Sequence, residues 1–463
     1  MKNKLFTLVL AAVVIVSLVV VGCAKPAPAP APSPAPAPAP SPAPTPAPAG
    51  PEEILLGCNA SMTGYAASFS NANEWGEQAA VDDINKQGGV YVEEYGRRIP
   101  VKLVVYDNES DPNKAKTLEE QLVVRDKVHL LVDSNTLIPI TFPEALVAEQ
   151  YKVPRVSGGA PMEAWLGLRN ELETPFEYTW TWGFSIATPA PSGSYWDKPG
   201  YVLIDIWKVP LDKYSDQTNK RVGVIATDEP DGRGWYALFP PTLKEWGYDV
   251  IGIEDNLGLF PLGTTDFASL IKRWQDNEVE ILWGNCPSPE FATLWRQCHT
   301  MGFHPKMVFM GRAPMFYTDV ASWGGDLPLG VCTELWWDPC FQNCPGIGGT
   351  TPQSLAERWS EETGQVLSPS IGWGYQQMQT MIDAIERAGS LDREKVNKAL
   401  ADTNLQTIDY LVKYDENHCN LKPEVFCQWQ KTDSSEVWKL EVVYSDHKDI
   451  PVTAEMIFPI PYE

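Results

Sequence analysis

Cysteine, histidine, serine and carboxylate side chains most often carry chemistry, and in this chain none of them stands at catalytic spacing. No Gly-x-Ser-x-Gly run is present to raise a nucleophile on a strand-to-helix turn. The five histidines, His129, His299, His304, His418 and His447, fall in no recognisable motif. His299 and His304 read as cap or surface residues at a helix end. No P-loop and no paired acidic motif occurs. Cys340 and Cys344 have C-x3-C spacing, but no His or Cys cluster accompanies them, so no metal site is expected. The pattern points away from an enzyme, and no cofactor is expected. An exported hydrolase is the alternative, because catalytic groups can converge in space from distant segments.

One cysteine stands apart. Lys2 and Lys4 precede an apolar run over residues 5–21, followed by Val20-Val21-Gly22-Cys23. A charged start and an apolar core read as a secretory signal. The run is long enough to span a bilayer, so a retained anchor is the competing reading. Gly22 before Cys23, with Val20 three residues ahead of the Cys, resembles a bacterial lipobox. That resemblance implies cleavage after residue 22 and lipidation of Cys23. Residues 24–50 then alternate Pro with Ala, a composition that builds no core and favours polyproline II. Fully straight, such a segment reaches on the order of 80 Å. The chain is therefore expected outside the cytoplasm, tethered by lipid and held off the membrane by a spacer.

The net charge of −24 argues against nucleic acid, whose phosphates would be repelled. It argues equally against a broad face lying on anionic lipid. Nine cysteines leave eight once Cys23 is set aside. An even count in an exported chain permits disulfides. Loop and hairpin spacing point to the pairs Cys340–Cys344 and Cys419–Cys427. Cys58, Cys298 and Cys332 read as buried free thiols.

The elements that must position any site alternate. Strands are expected at 54–57, 101–106, 129–132 and 153–156, with helices at 75–85, 112–124 and 141–150. Gly88-Gly89 ends the first helix. The alternation restarts with strands at 221–226, 250–253, 281–283 and 307–310, and helices at 235–246, 267–275 and 290–301. Helices at 354–363, 371–388 and 393–402 and a β-rich tail close the chain. Residues 163–220 are rich in Trp, Pro and Tyr and show weak periodicity. Strand–helix alternation predicts parallel sheets with helices on both faces. Roughly 410 residues beyond the spacer suit two lobes better than one core.

Several short segments then carry a resemblance. Met62-Thr63-Gly64 is followed by Gly76 and Ala79, then by Ile84-Asn85-Lys86-Gln87-Gly88-Gly89-Val90. Asp107 precedes Asp111-Pro112-Asn113 and Ala115. Asp231-Gly232 follows a strand, and Thr265-Asp266-Phe267 opens a helix. Ala384-Ile385-Glu386-Arg387-Ala388-Gly389-Ser390 precedes Val412-Lys413-Tyr414-Asp415-Glu416-Asn417 and Gln428-Trp429-Gln430. In order and spacing these segments resemble the type I periplasmic binding proteins of branched-chain amino-acid transport, over nearly all of 52–463.

The resemblance implies an α/β fold of two doubly wound parallel-sheet lobes joined by hinge strands. It assigns 52–178 plus 329–405 to lobe 1 and 179–328 plus 406–463 to lobe 2. It also implies a small-molecule solute between the lobes and an ABC permease as partner, for a chain expected to be monomeric. A sensor of the same fold, coupled to a signalling partner, is the alternative. Ligands of open α/β sheets lie beyond the carboxyl ends of strands, where helix N-termini attract carboxylates.

Carried over loop by loop, the family site implies ligand contacts at Thr63 and at Phe69, the latter an aromatic platform. Its carboxylate-binding Ser is replaced near Leu137 and Ile138, passing that role to Asn135 or Thr136. Ser157, Gly158 and Gly159 offer backbone N–H groups and a hydroxyl. Asp231 stands where the family has an aromatic residue, and Asn285-Cys286 where it has another. The acidic partner of an amino acid's ammonium is due near Ala313, where the sequence shows no carboxylate; Arg312 stands beside it. Arg312 is expected either to fork onto an anionic group or to lie on the surface. Of Trp336 and Trp337, at most one faces the cleft; Trp336 is the candidate. The ligand is expected to be amino-acid-like, an amide, or an aromatic or apolar carboxylate.

Overall fold

A computed structural model describes residues 48–462, apart from 135–136, 190, 254–255 and 434–435. The signal segment, Cys23, most of the spacer and the candidates Asn135 and Thr136 lie outside the described residues.

The first sheet has six parallel strands. Their order is Cys419–Leu421, Thr179–Phe184, Arg155–Pro161, Leu130–Asp133, Ile54–Ala60 and Val101–Asp107. Such strands are covered on both faces and read as unbroken apolar runs. Helices Ala67–Lys86, Pro112–Val124, Ile138–Tyr151 and Ser370–Ala388 supply the cover. Asp111 caps the second of these, accepting from Asn113 N at 2.8 Å and Lys114 N at 3.0 Å. Helices Ala67–Lys86 and Ser370–Ala388 approach closely: a Cβ on Gly374 would stand 1.8 Å from the Asn73 carbonyl oxygen.

The second sheet runs Leu259–Phe260, Arg221–Thr227, Ile281–Cys286, Met307–Arg312, Val331–Leu335, Val425–Lys431 and Trp438–Ser445. Asp249–Ile251 also pairs with Arg221–Thr227. The sheet is parallel up to Val331–Leu335, and the last two strands are antiparallel. The fold is thus two doubly wound α/β lobes.

The structure moves the lobe boundaries. Thr179–Phe184, assigned to lobe 2 from sequence, hydrogen-bonds in the first sheet beside Arg155–Pro161. Val331–Leu335, assigned to lobe 1, lies in the second sheet beside Met307–Arg312. Cys419–Leu421 returns to the first sheet. The chain therefore crosses after Phe184, after Leu335, and between Leu421 and Val425. Glu163 holds the start of the first crossing, accepting from the N–H groups of Ile186 at 3.0 Å and Ala187 at 2.9 Å. The crossings are also tied to each other. Glu424 N donates to Gly200 O at 2.7 Å, and Trp336 Nε1 donates to Glu424 Oε2 at 2.9 Å.

All eight described cysteines carry free thiols. Cys419 and Cys427 lie in different sheets, which removes the hairpin that their spacing suggested. Cys344 Sγ turns to the Gln342 carbonyl at 3.3 Å instead of to Cys340.

Candidate functional site

A cleft of about 850 Å³ opens between the lobes. Its first-lobe wall comes from the start of the helix that carries Phe69, from the segment Leu137–Pro143, and from the helix Met162–Asn170. The second-lobe wall comes from the loops that follow Arg221–Thr227, Ile281–Cys286 and Met307–Arg312. Most of the lining is apolar, and Phe69, Phe142, Phe184, Trp235, Met315 and Trp336 are among its large side chains. Phe184 lies between two indoles. Its ring centroid is 4.6 Å from Trp336 in a stacked pair and 6.2 Å from Trp235.

One end of the cleft is polar, and it is built from strand ends. Glu229 caps the helix Pro230–Glu245, accepting from Asp231 N at 3.0 Å and Gly232 N at 2.9 Å. Arg312, in the left-handed region at φ 69°, ends its strand and points back at that cap. Its Nη2 donates to Glu229 Oε1 at 2.9 Å and to Thr227 Oγ1 at 2.9 Å, while Nη1 pairs with Asp231 Oδ2 at 3.1 Å. The guanidinium fork that the sequence offered to an anionic ligand is therefore engaged by the chain's own carboxylates. Nor is Arg312 a surface residue, its side chain being 14% exposed.

Burial alone would raise Glu229, but Arg312, the Gly232 N–H and the Thr227 hydroxyl overcome it and hold the carboxyl below its usual value. Burial raises Asp231, Arg312 opposes the rise and Glu229 adds to it. Glu334, 1% exposed, is pushed up to about 7, first by burial and further by the charge of Asp231. Asn285, 2% exposed, turns an Oδ1 without a hydrogen-bond partner among the described residues.

Of the residues named from sequence, Phe69, Gly159, Asp231, Asn285, Arg312 and Trp336 line the cleft. Four do not. Thr63 is exposed and donates its hydroxyl to Asp107 Oδ2 at 2.9 Å. Ser157 and Gly158, read as a loop, belong to the strand Arg155–Pro161, which bulges only between Gly158 and Ala160. Ser157 is fully buried, and a Cβ on Gly158 would stand 1.9 Å from the Trp182 indole nitrogen. Gly159, at φ 90°, makes the bulge and reaches the cleft. Cys286 is buried, with its thiol 3.8 Å from Met310 Sδ. Burial raises that thiol above its ordinary value.

Sequence reasoning missed Glu229, Glu334, Phe184 and Trp235. The carboxylates beside Ala313 arrive from another segment of the chain, Glu229 and Asp231, which pair with the neighbouring Arg312. Glu334 had a signal: it precedes Trp336 by two residues, and period-two alternation puts both on one side of the chain.

Residues 53–432 match the family of proteins described as periplasmic binding protein. The Leu/Ile/Val-binding protein homolog 1 of Brucella abortus is 22% identical over 385 residues, spanning 82% of this chain and 91% of that protein. The leucine-binding protein LivK of Thermotoga maritima superposes with a TM-score of 0.63 at 19% identity, covering 85% of this chain and 99% of that one. A solute-binding protein of an ABC transporter from Rhodopseudomonas palustris, solved with 3,4-dihydroxybenzoic acid, gives 0.62 at 18% identity, covering 86% and 99%.

Proposed function

The chain belongs to the periplasmic binding protein family, and from that premise we propose that it captures an organic solute with an apolar or aromatic body and delivers it to an ABC importer. Its family consists of binding proteins, not enzymes, that work outside the cytoplasm. The observation that carries the solute class is the lining of the cleft: large apolar rings on both walls, with polar groups in the minority. Ligand sites of about 300–1,000 Å³ with a few convergent polar groups suit drug-sized molecules. A cleft of about 850 Å³ has room for more than a small aliphatic amino acid. Amino acids and an aromatic acid, named for relatives of this chain, bracket the chemistry.

Closure would bring the two walls together about the three crossings. Phe69, Phe184 and Trp336 would hold the body of the solute, while Asp231, Asn285 and Arg312 would border its head. Lipidation of Cys23 and the Pro-Ala spacer would keep this receptor within reach of its permease.

Intrinsic fluorescence tests the reading, since Trp235 and Trp336 line the cleft. The full chain in detergent should change emission saturably with an apolar or aromatic solute, and Trp336→Phe should shrink that change. Turnover of the bound solute, or saturable binding untouched by every cleft substitution, would overturn it.

A further inference from the structure

We infer that the solute carries a cationic head, an ammonium or alkylated amine, received by Glu334 and Asn285 at the polar end of the cleft. The inference rests on the receptor reading above and adds the charge class of its ligand. Three carboxylates, Glu229, Asp231 and Glu334, border this end with one guanidinium among them. Arg312 is shared between Glu229 and Asp231, and its ion pairs go to those two carboxylates, not to Glu334. Glu334 is buried and Glu229 and Asp231 are half-buried, and carboxylates drawn out of water beside one another are stabilised by a further positive group. The Oδ1 of Asn285 is an independent sign. It is an almost fully buried acceptor with no donor among the described residues, in a cleft that a ligand's N–H would fill.

The rings point the same way. Trp235, Phe184 and Trp336 line the cleft along with these acceptors. Cations bind well over aromatic faces, Trp best of all. An anionic head meets the opposite situation. Both Nη atoms of Arg312 are taken by carboxylates, so that only its buried Nε is left without a partner among the described residues, and a ligand carboxylate here would stand beside Glu229, Asp231 and Glu334.

Glu334 is faced by Asp231 from the cap of one helix and by Glu424 from the third crossing, and it accepts from the Arg312 backbone N–H and from the Thr333 hydroxyl at 3.2 Å. Glu424 is itself raised by burial, with Glu334 adding to the rise. A carboxyl that titrates near 7 in the free protein is ionised by a bound cation, so cation affinity should climb as pH rises through that region.

Calorimetry with phenethylamine, 3-phenylpropionate and 3-phenylpropanamide on the full chain in detergent tests the head with the body held nearly constant. Phenethylamine should bind at least tenfold more tightly than 3-phenylpropionate, with the amide between them. Glu334→Gln should cut the amine-to-acid ratio at least fivefold. Should that variant fold poorly, the same ratio in the unmodified chain should rise at least threefold from pH 6 to pH 8. Tighter binding of 3-phenylpropionate would overturn the cationic head and leave the receptor reading intact. A ratio unmoved by both Glu334→Gln and pH would likewise overturn it. Failure of all three compounds would overturn it too, and the receptor reading would then be judged on the fluorescence test.

Discussion

Two buried arginines, one in each lobe, have similar partners and different access to the cleft. Arg155, fully buried in the first lobe, pairs through Nη2 with Asp133 Oδ2 at 2.6 Å and Glu144 Oε2 at 2.9 Å, and through Nε with Glu119 Oε1 at 3.5 Å. Arg312 in the second lobe pairs with Glu229 and Asp231 but lines the cleft. Around Arg155 burial outweighs the guanidinium, and Glu119 is pushed up to about 8. The cluster lies away from the cleft lining, with Thr141 also bonded to Arg155 Nη2 at 2.8 Å. Around Arg312 the third carboxylate, Glu334, faces the cleft instead of the guanidinium. A charge cluster in the interior specifies packing; a similar cluster left incomplete at a cleft wall has a place for a ligand.

The largest effect should come from the Arg155 cluster. Arg155→Met would leave three buried carboxylates without their cation and destabilise the chain by about 3–5 kcal/mol, a loss that thermal unfolding would register. Next is the pH response of Glu334. Its carboxyl pKa rises from 4.5 to about 7 on folding, so it adds stability below 4.5 that is lost as pH climbs towards 7. A tenfold change in proton affinity is worth about 1.4 kcal/mol, so this rise removes about 3 kcal/mol by neutral pH. Glu334→Gln should flatten that part of the slope in denaturation curves at pH 5 and pH 8.

Trp336→Ala comes third. It removes a ring stacked on Phe184 and the donor to Glu424, and should weaken solute affinity by about 2 kcal/mol in a binding titration, in the range of an aromatic anchor. Thr63→Val should do least. Its hydroxyl is exposed and bonds only Asp107 among the described residues, so stability should change by less than about 1 kcal/mol and solute affinity not at all.

These contrasts also mark what could be read from sequence. The alternation of strands and helices was legible because parallel strands are continuous apolar runs and the helices between them are capped by residues such as Asp111. Thr179–Phe184 was not, because two threonines and a glycine interrupt its apolar run within a stretch rich in Trp, Pro and Tyr. Its loss hid Phe184 and misplaced the first crossing. Ser157 and Gly158 misled because consecutive glycines suggest a loop. Here the missing Cβ of Gly158 makes room for Trp182 inside a sheet. Arg312 was visible as a residue, but its partners arrive from as far as 85 positions away in sequence, and no local pattern announces them.

A crystal structure of the full chain with bound phenethylamine tests the central claim most directly. The ring should lie between Phe69 and Trp336, with the ammonium within hydrogen-bonding distance of Glu334 and Asn285. An amine seated elsewhere, with the cleft between the lobes empty, would contradict a cation-receiving cleft.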